Sequence, residues 1–332
     1  MAHSTRTLRI GIASLVAIVM VGGTYALTGP NPLFGLGRVA EAQSSEELLR
    51  EYAAKDTDSD SLPDWQEALY GTDPTNPESF QAGIKDGDAV AQGLIQPKVA
   101  VRAEGEMTDI ETIPGTVAGP NSLTDRFAQT LLKQYLQNRG ETPPTSEEIV
   151  AFVEAGIQNL VAESDSSARY ALADVKLSGE TGTVGLQSYA AMMEGAFARN
   201  TVPADRNELS YFSDALSGDT ASLRKIGEIS QAYKDIATAL IAVPVPSEAR
   251  QAHLSIANAL VHMSETSADM AAMETDPLRA LMGIGLYEKY ATELVAGFSN
   301  LHGVFSARQV SVPQGTAGYQ VIKTAADAAA SN

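Results

Sequence analysis

Cysteine is absent from this chain of 332 residues, and basic residues are few: Lys plus Arg number 23 against 41 Asp plus Glu. Without cysteine the protein has no disulfides, thiolate zinc sites, iron–sulfur clusters or cysteine nucleophiles. The formal charge of −18 excludes the basic surface that nucleic acids require. We therefore expect no nucleic-acid partner and a fold held together by apolar burial and by any metal that it binds.

Known catalytic motifs are also missing. The chain has no G-x-S-x-G elbow, no Walker A loop, no G-x-G-x-x-G turn after an expected strand and no H-E-x-x-H helix. None of the four histidines belongs to a metal-binding motif with another histidine; they are His3, His253, His262 and His302. We interpret them as surface or capping residues and expect that the protein is not an enzyme.

What the chain does contain is a dense acidic segment at residues 56–67. Its carboxylates fall at positions 1, 3, 5, 9 and 12, which is the ligand spacing of an EF-hand calcium loop. In such loops position 7 supplies a backbone carbonyl and the Glu at position 12 supplies two oxygens. The pattern predicts a Ca²⁺ site with these ligands: Asp56, Asp58, Asp60, Leu62, Asp64 and Glu67. The alternative is a solvated acidic loop that binds no metal.

The residues on either side predict a helix–loop–helix. Ser44 and Glu47 have the spacing of a capping box, and apolar residues follow at helical intervals. Pro63 suits the first turn of the second helix, which is expected to end at Gly71. Position 6 of the loop, where the chain turns sharply, is Ser61 instead of glycine. A positive φ at a non-glycine residue costs about 1–2 kcal/mol, so we expect weakened calcium affinity.

Residues 56–77, DTDSDSLPDWQEALYGTDPTNP, resemble the bacterial thrombospondin-type-3-like calcium repeat. The resemblance is confined to this part of the chain. It implies an EF-hand-like, calcium-binding, extracytoplasmic and usually structural module. It also implies ligand roles for five acidic side chains, those of Asp56, Asp58, Asp60, Asp64 and Glu67.

A second repeat of the same kind would begin near Glu78, but Phe80 and Ala82 stand at its ligand positions. We therefore interpret this segment as an eroded second repeat without a site of its own. Asp73 and Asp86 remain weaker candidates for additional ligands.

The N-terminal region has the pattern of a membrane anchor. Residues 10–27 carry no charge and would span roughly 27 Å as a helix, close to the thickness of the hydrocarbon layer. Arg6 and Arg9 precede them, which favours a cytoplasmic N-terminus. We expect a single-pass membrane protein whose bulk is extracytoplasmic, at the cell surface or in the periplasm. A cleaved signal peptide is the alternative, and it leads to the same compartment.

Composition divides the chain into six segments. They are a cytoplasmic tip and transmembrane anchor (1–30), a spacer (31–43), a calcium module with the eroded repeat (44–89), a linker (90–122), a helical domain (123–308) and a flexible tail (309–332).

Apolar spacing predicts that the helical domain is an irregular bundle of six or seven helices. Two of them are expected at 183–199 and 206–216, and prolines at 244 and 246 separate two longer ones. Asp276 followed by Pro277 marks the start of the last helix. Only residues 169–178 have a pattern that would suit a short strand. The fold class is therefore mainly α.

These features predict a membrane-tethered, extracytoplasmic, calcium-binding structural or interaction protein of a bacterial-type cell envelope. Its partner would be an envelope or surface protein of unknown identity. The alternative is a helical subunit of an envelope secretion or pilus apparatus.

Overall fold

A computed structural model describes residues 44–95, 122–128 and 168–331, apart from residues 201, 203 and 205. Within these ranges the protein is mainly α-helical and has two isolated β-bridges but no β-strand, which confirms the predicted fold class. None of the helices in the described ranges is both long and apolar enough to cross a membrane. The predicted anchor at 10–27 and much of the predicted linker lie outside the described residues.

Nine α-helices have defined bounds within the described ranges. They are α1 (Ser45–Ala54), α2 (Asp64–Tyr70), α3 (Asp86–Ala91), α4 (Gly182–Arg199), α5 (Glu208–Leu216), α6 (Ala221–Ile241), α7 (Arg250–Ala271), α8 (Pro277–Ala307) and α9 (Tyr319–Ser331). Residues 123–128 are also helical, and Leu172–Asp174 and Ser247–Ala249 form 3₁₀ turns.

Local sequence signals account for most of these bounds. The capping box before α1 is present, because the Ser44 amide donates to Glu47 at 3.0 Å and the Glu47 amide donates to the Ser44 hydroxyl at 3.2 Å. The helices predicted at 183–199 and 206–216 are α4 and α5. The two prolines after α6 end it as expected, since neither can continue a helical hydrogen-bond ladder.

The chain forms two compact units. The described part of the first comprises residues 44–48, 168–268 and 283–331, and that of the second comprises residues 49–95, 122–128 and 269–282. The predicted boundary near residue 122 is therefore not the boundary between the units, because the beginning of α8 belongs with the acidic loop.

In the second unit, two helix starts cap each other. The Asp276 carboxylate, just before α8, accepts hydrogen bonds from the amides of Leu123 at 2.6 Å and Thr124 at 3.0 Å. The Thr124 hydroxyl in turn accepts one from the Leu278 amide at 3.0 Å. Each side chain thus satisfies amides that have no partner within their own helix. The sequence indicated the helix start at Asp276 but not this exchange.

Apolar side chains from α4 to α8 fill the core of the first unit. Its largest fully buried members include Tyr189, Leu186, Phe212, Ile226, Ile229, Tyr287 and Phe298. Met263 of α7 is fully buried in this unit as well.

Two expectations were wrong in this unit. The tail expected to be flexible contains α9, which packs against α4 and buries Val321, Ala325 and Ala328. Residues 169–178 form no strand: they contain a 3₁₀ turn, and only Leu177 makes an isolated parallel bridge, with Val245. The Ala-rich composition of the tail suggested fraying, yet small side chains are what allow a helix to approach its neighbour closely.

The first unit also buries a carboxyl group that its sequence did not reveal. Glu208 opens α5 and is completely buried, where it accepts hydrogen bonds from the hydroxyls of Tyr287 at 3.2 Å and Ser267 at 3.4 Å. Burial raises the pKa of Glu208 above its ordinary value, and these hydroxyls oppose the shift.

His253 and His262 are buried, contrary to the expected surface positions. The Tyr189 hydroxyl lies 2.9 Å from Nδ1 of His253, and Nε2 is buried without a hydrogen-bond partner. His262 stacks on Tyr290 with ring centroids 4.4 Å apart. Both histidines therefore contribute to packing.

Acid should destabilise the first unit through His253. Burial lowers the pKa of His253 to about 4, so the unfolded chain binds a proton there at pH values where the folded protein does not. Stability from this residue is present above about pH 6.5 and is lost as the pH falls towards 4, by about 3 kcal/mol. Urea unfolding of the wild type and His253→Asn across this range should show a shallower pH dependence for the variant. Equal slopes would contradict the prediction.

Candidate metal centre

The acidic loop between α1 and α2 is folded around the carboxylate of its first residue. Asp56 accepts hydrogen bonds from the amides of Ser59 at 2.8 Å and Ser61 at 3.0 Å. Ser61 has a φ of +80°, so position 6 does require the left-handed conformation for which glycine is best suited. The loop therefore has the sharp turn that the ligand spacing predicts, at the cost of strain at Ser61.

Helix α2 brings the last acidic residue of the loop back to the first ones. Pro63 precedes the helix in an extended conformation, and Gly71 ends it with a φ of +73°. Buried Leu62 and Leu69 fix the helix against its own unit, and the indole Nε1 of Trp65 donates to the Ala53 carbonyl at 2.9 Å. Glu67, one turn into α2, consequently faces the loop instead of solvent.

Two groups of carboxylates result, and they share Asp60. The first consists of Asp56, Asp58 and Asp60, and the second of Asp60, Glu67 and Asp86. In each group the oxygen atoms lie within 4.8 Å of one another, which is a separation that one cation can bridge. Asp60, Glu67 and Asp86 are all buried, at 1%, 0% and 0% exposure.

Glu67 is the most unusual of these side chains. It is fully buried, and neither carboxylate oxygen has a hydrogen-bond partner. Burial, followed by the negative charges of Asp58 and Asp60, raises the pKa of Glu67 to about 8. Asp58 has a second buried oxygen without a partner, and burial also raises its pKa. Polar atoms buried in this way are costly unless something binds them.

Three of the candidate ligands from the sequence, Asp64, Leu62 and Asp73, do not belong to either group of carboxylates. Asp64 accepts hydrogen bonds from Lys55 at 2.6 Å and from the amide and hydroxyl of Thr57 at 2.7 and 2.8 Å, so it closes the loop and lies outside both groups. Leu62 buries its side chain and donates its amide to Asp60 at 2.7 Å, and the ligand role of its carbonyl stays a prediction. Asp73 caps its own turn by accepting from the amide and hydroxyl of Thr75.

The segment from 78 to 94 repeats the backbone of the acidic loop 22 residues later. The amide of Asp64 donates to the Lys55 carbonyl, and that of Asp86 donates to the Pro77 carbonyl. The carboxylate of Asp86 accepts from the amide and hydroxyl of Ser79, as Asp64 does from Thr57.

The turns of the two repeats correspond as well. Gly83, in the position of Ser61, has a φ of +87°, and Gly93, in the position of Gly71, has a φ of +70°. The segment is thus a structural repeat of the acidic loop that keeps its turns and has Phe80, Ala82 and Ala89 at three of the ligand positions. What the sequence did not reveal is that Asp86 lies beside Asp60 and Glu67.

The donor set determines which ligand would fit. The two groups offer carboxylate oxygens only, without nitrogen or sulfur, and such hard oxygens suit Ca²⁺ or Mg²⁺ rather than zinc or copper. Across the described ranges no ion pair involves any of the five carboxylates. Lys55 is paired with Asp64, and the Lys85 ammonium donates to the Ser59 carbonyl. Unpartnered buried oxygens and uncompensated negative charge therefore both fit a divalent cation.

Comparison with known proteins adds no relative: no protein family, curated protein or solved structure matched the chain.

Proposed function

We propose that the acidic loop binds a calcium ion. The observation that carries the proposal is Glu67, a fully buried carboxylate with two unpartnered oxygens that lies next to Asp60 and Asp86. The ligands would be Asp56, Asp58 and Asp60 from the loop and Glu67 from α2. A cation supplies the charge that this cluster lacks, and calcium tolerates the irregular geometry of a loop better than magnesium does.

The role proposed for the ion is structural. Binding would join the loop to α2 and would contribute folding free energy to the second unit, because the converging carboxylates repel one another without it. Extracellular calcium modules of this kind bind in about the 10⁻⁴–10⁻³ M range. Such affinity suits a constitutively occupied structural site outside the cytoplasm and is too weak for cytosolic signalling.

The sequence of the N-terminus supports the location we propose. The uncharged residues 10–27 after Arg6 and Arg9 would tether the chain to a membrane, with the calcium module and the helical bundle on the extracytoplasmic side. The bundle would then serve as an interaction domain for an envelope or surface protein. No catalytic role is proposed for it.

Calcium titration of the full chain tests the proposal. We expect one ion per chain with a dissociation constant in the millimolar range or below, measured by calorimetry. Trp65, the single tryptophan, is bonded to the end of α1 and lies two residues before Glu67, so its emission should change along the same binding curve. If neither the calorimetric heat nor the emission of Trp65 responds to millimolar calcium, the site is ruled out.

A further inference from the structure

We propose that the second repeat has no cation of its own and instead completes the site of the first repeat, to which Asp86 contributes a carboxylate. The inference rests on the proposed calcium site and extends it to a residue outside the predicted loop. It assigns a function to a segment, 78–94, whose ligand positions hold Phe80, Ala82 and Ala89 in place of Asp58, Asp60 and Glu67.

Contacts between the two repeats place Asp86 at the site. The Gly87 amide donates to Oδ2 of Asp60 at 3.0 Å, and the Lys85 ammonium donates to the carbonyl of Ser59 at 3.0 Å. Lys85 and Gly87, the two neighbours of Asp86 in the chain, therefore both contact the first loop.

Gly87 shows how closely the two segments approach. A Cβ atom at this position would lie 2.6 Å from the backbone oxygen of Asp60, which is closer than a carbon and an oxygen can approach. Only glycine permits this contact. Trp65 occupies the equivalent position in the first repeat, so the two repeats differ where one packs on the other.

The carboxylate of Asp86 is both fixed and available. Its Oδ2 accepts from the amide and hydroxyl of Ser79, while Oδ1 accepts only from the Phe80 amide at 2.9 Å. A carboxylate oxygen has two lone pairs, so Oδ1 keeps one for a further partner. Because Asp86 is completely buried and grouped with Asp60 and Glu67, that partner must lie inside the cluster.

Charge also distinguishes Asp86 from its counterpart. Asp64, at the same position in the first repeat, is neutralised by Lys55 at 2.6 Å. The residue equivalent to Lys55 in the second repeat is Pro77, and the described residues give Asp86 no ion pair. A buried carboxylate without a counter-charge is expected to bind a cation.

The test compares Asp86→Asn with Asp88→Asn in the full chain by calcium calorimetry. Asp88 lies one residue beyond Gly87 on the same short helix and is exposed, so its variant removes the same charge without touching the cluster. We expect Asp86→Asn to weaken calcium binding at least tenfold and Asp88→Asn to change it less than twofold. Equal affinities of the two variants would overturn the inference.

A third variant separates ligation from support of the loop. Ser79→Ala removes the hydroxyl that holds Asp86 but keeps the carboxylate, and it should leave calcium affinity within about threefold of wild type. If Ser79→Ala weakens binding as much as Asp86→Asn, Asp86 only shapes its own loop and the inference fails. Circular dichroism shows whether each variant is folded. A wild-type chain that binds no calcium would refute the proposed function itself.

Discussion

Replacing Glu67 by glutamine should abolish measurable calcium binding and, in the absence of calcium, make the protein more stable. Glutamine has nearly the same shape, so the substitution removes the charge and leaves the packing of α2 intact. Loss of a bidentate closing ligand is expected to reduce affinity by a hundredfold or more.

The gain in calcium-free stability follows from the surroundings of Glu67. The side chain is buried with no hydrogen bond to either oxygen, beside the carboxylates of Asp60 and Asp86. With a pKa of about 8, Glu67 in the calcium-free protein must either hold an unpartnered buried charge or take up a proton near neutral pH, and both cost folding free energy. Glutamine removes this cost, which should stabilise the calcium-free protein by about 1–3 kcal/mol. A stabilising substitution at a fully buried polar residue is unusual, and it distinguishes a metal site from a structural carboxylate that merely holds its neighbours.

Thermal unfolding with and without calcium checks both parts. The melting temperature of the wild type should rise when calcium is added. The melting temperature of calcium-free Glu67→Gln should be higher than that of calcium-free wild type, and calcium should not change it. Glu78→Gln is the matched control, because Glu78 is exposed and belongs to the second repeat, where it accepts only from the Gly83 amide. Its calcium response should equal that of wild type. A Glu67→Gln protein with wild-type affinity would mean that the loop does not bind calcium through this residue.

Local signals in the sequence were sufficient for most of the helices and for the course of the acidic loop. Proline and capping residues act within one or two turns, so the end of α6 and the starts of α1 and α8 can be inferred without knowing the fold. Ligand spacing likewise predicted the turn at Ser61, where the structure shows positive φ.

Features that depend on approach between distant segments could not be inferred in this way. Asp86 was a weak candidate because its repeat had lost the other ligands, and only the packing of Gly87 on the first loop brings it to Glu67. Asp64 was assigned as a ligand from its position in the spacing, but Lys55, nine residues earlier, binds it. Buried Glu208 accepts a hydrogen bond from Tyr287, which is 79 residues away in sequence.

The packing of the C-terminal helix α9 could not be inferred from local sequence either, and a substitution at Gly318 is expected to have the second large effect on stability. Gly318, just before α9, has a φ of +93°, and a Cβ atom there would lie 2.8 Å from both the Ala190 side chain and the Ala191 amide nitrogen on α4. Composition marked this region as a frayed tail, because alanine and glycine bury little surface. Small residues on both sides are nevertheless what permit α9 to pack at this distance.

Gly318→Ala should therefore destabilise the first unit by about 3 kcal/mol or more. Part of this cost is the strain of an alanine at positive φ, about 1–2 kcal/mol, and the rest is the collision with the backbone of α4. Gly315→Ala is the matched control: Gly315 also has a positive φ, of +82°, but its Cβ would meet no atom within 4 Å.

Urea unfolding of the two variants separates strain from collision. Both variants should lose the stability that corresponds to the strain, and only Gly318→Ala should lose the additional stability that corresponds to the collision. Faster proteolytic cleavage before α9 in Gly318→Ala would be the local sign that this helix has detached. Because α9 lies in the first unit and the acidic loop in the second, calcium affinity should be unchanged in both variants. Equal destabilisation by the two substitutions would show that α9 tolerates displacement from α4 and that its close packing contributes little to stability.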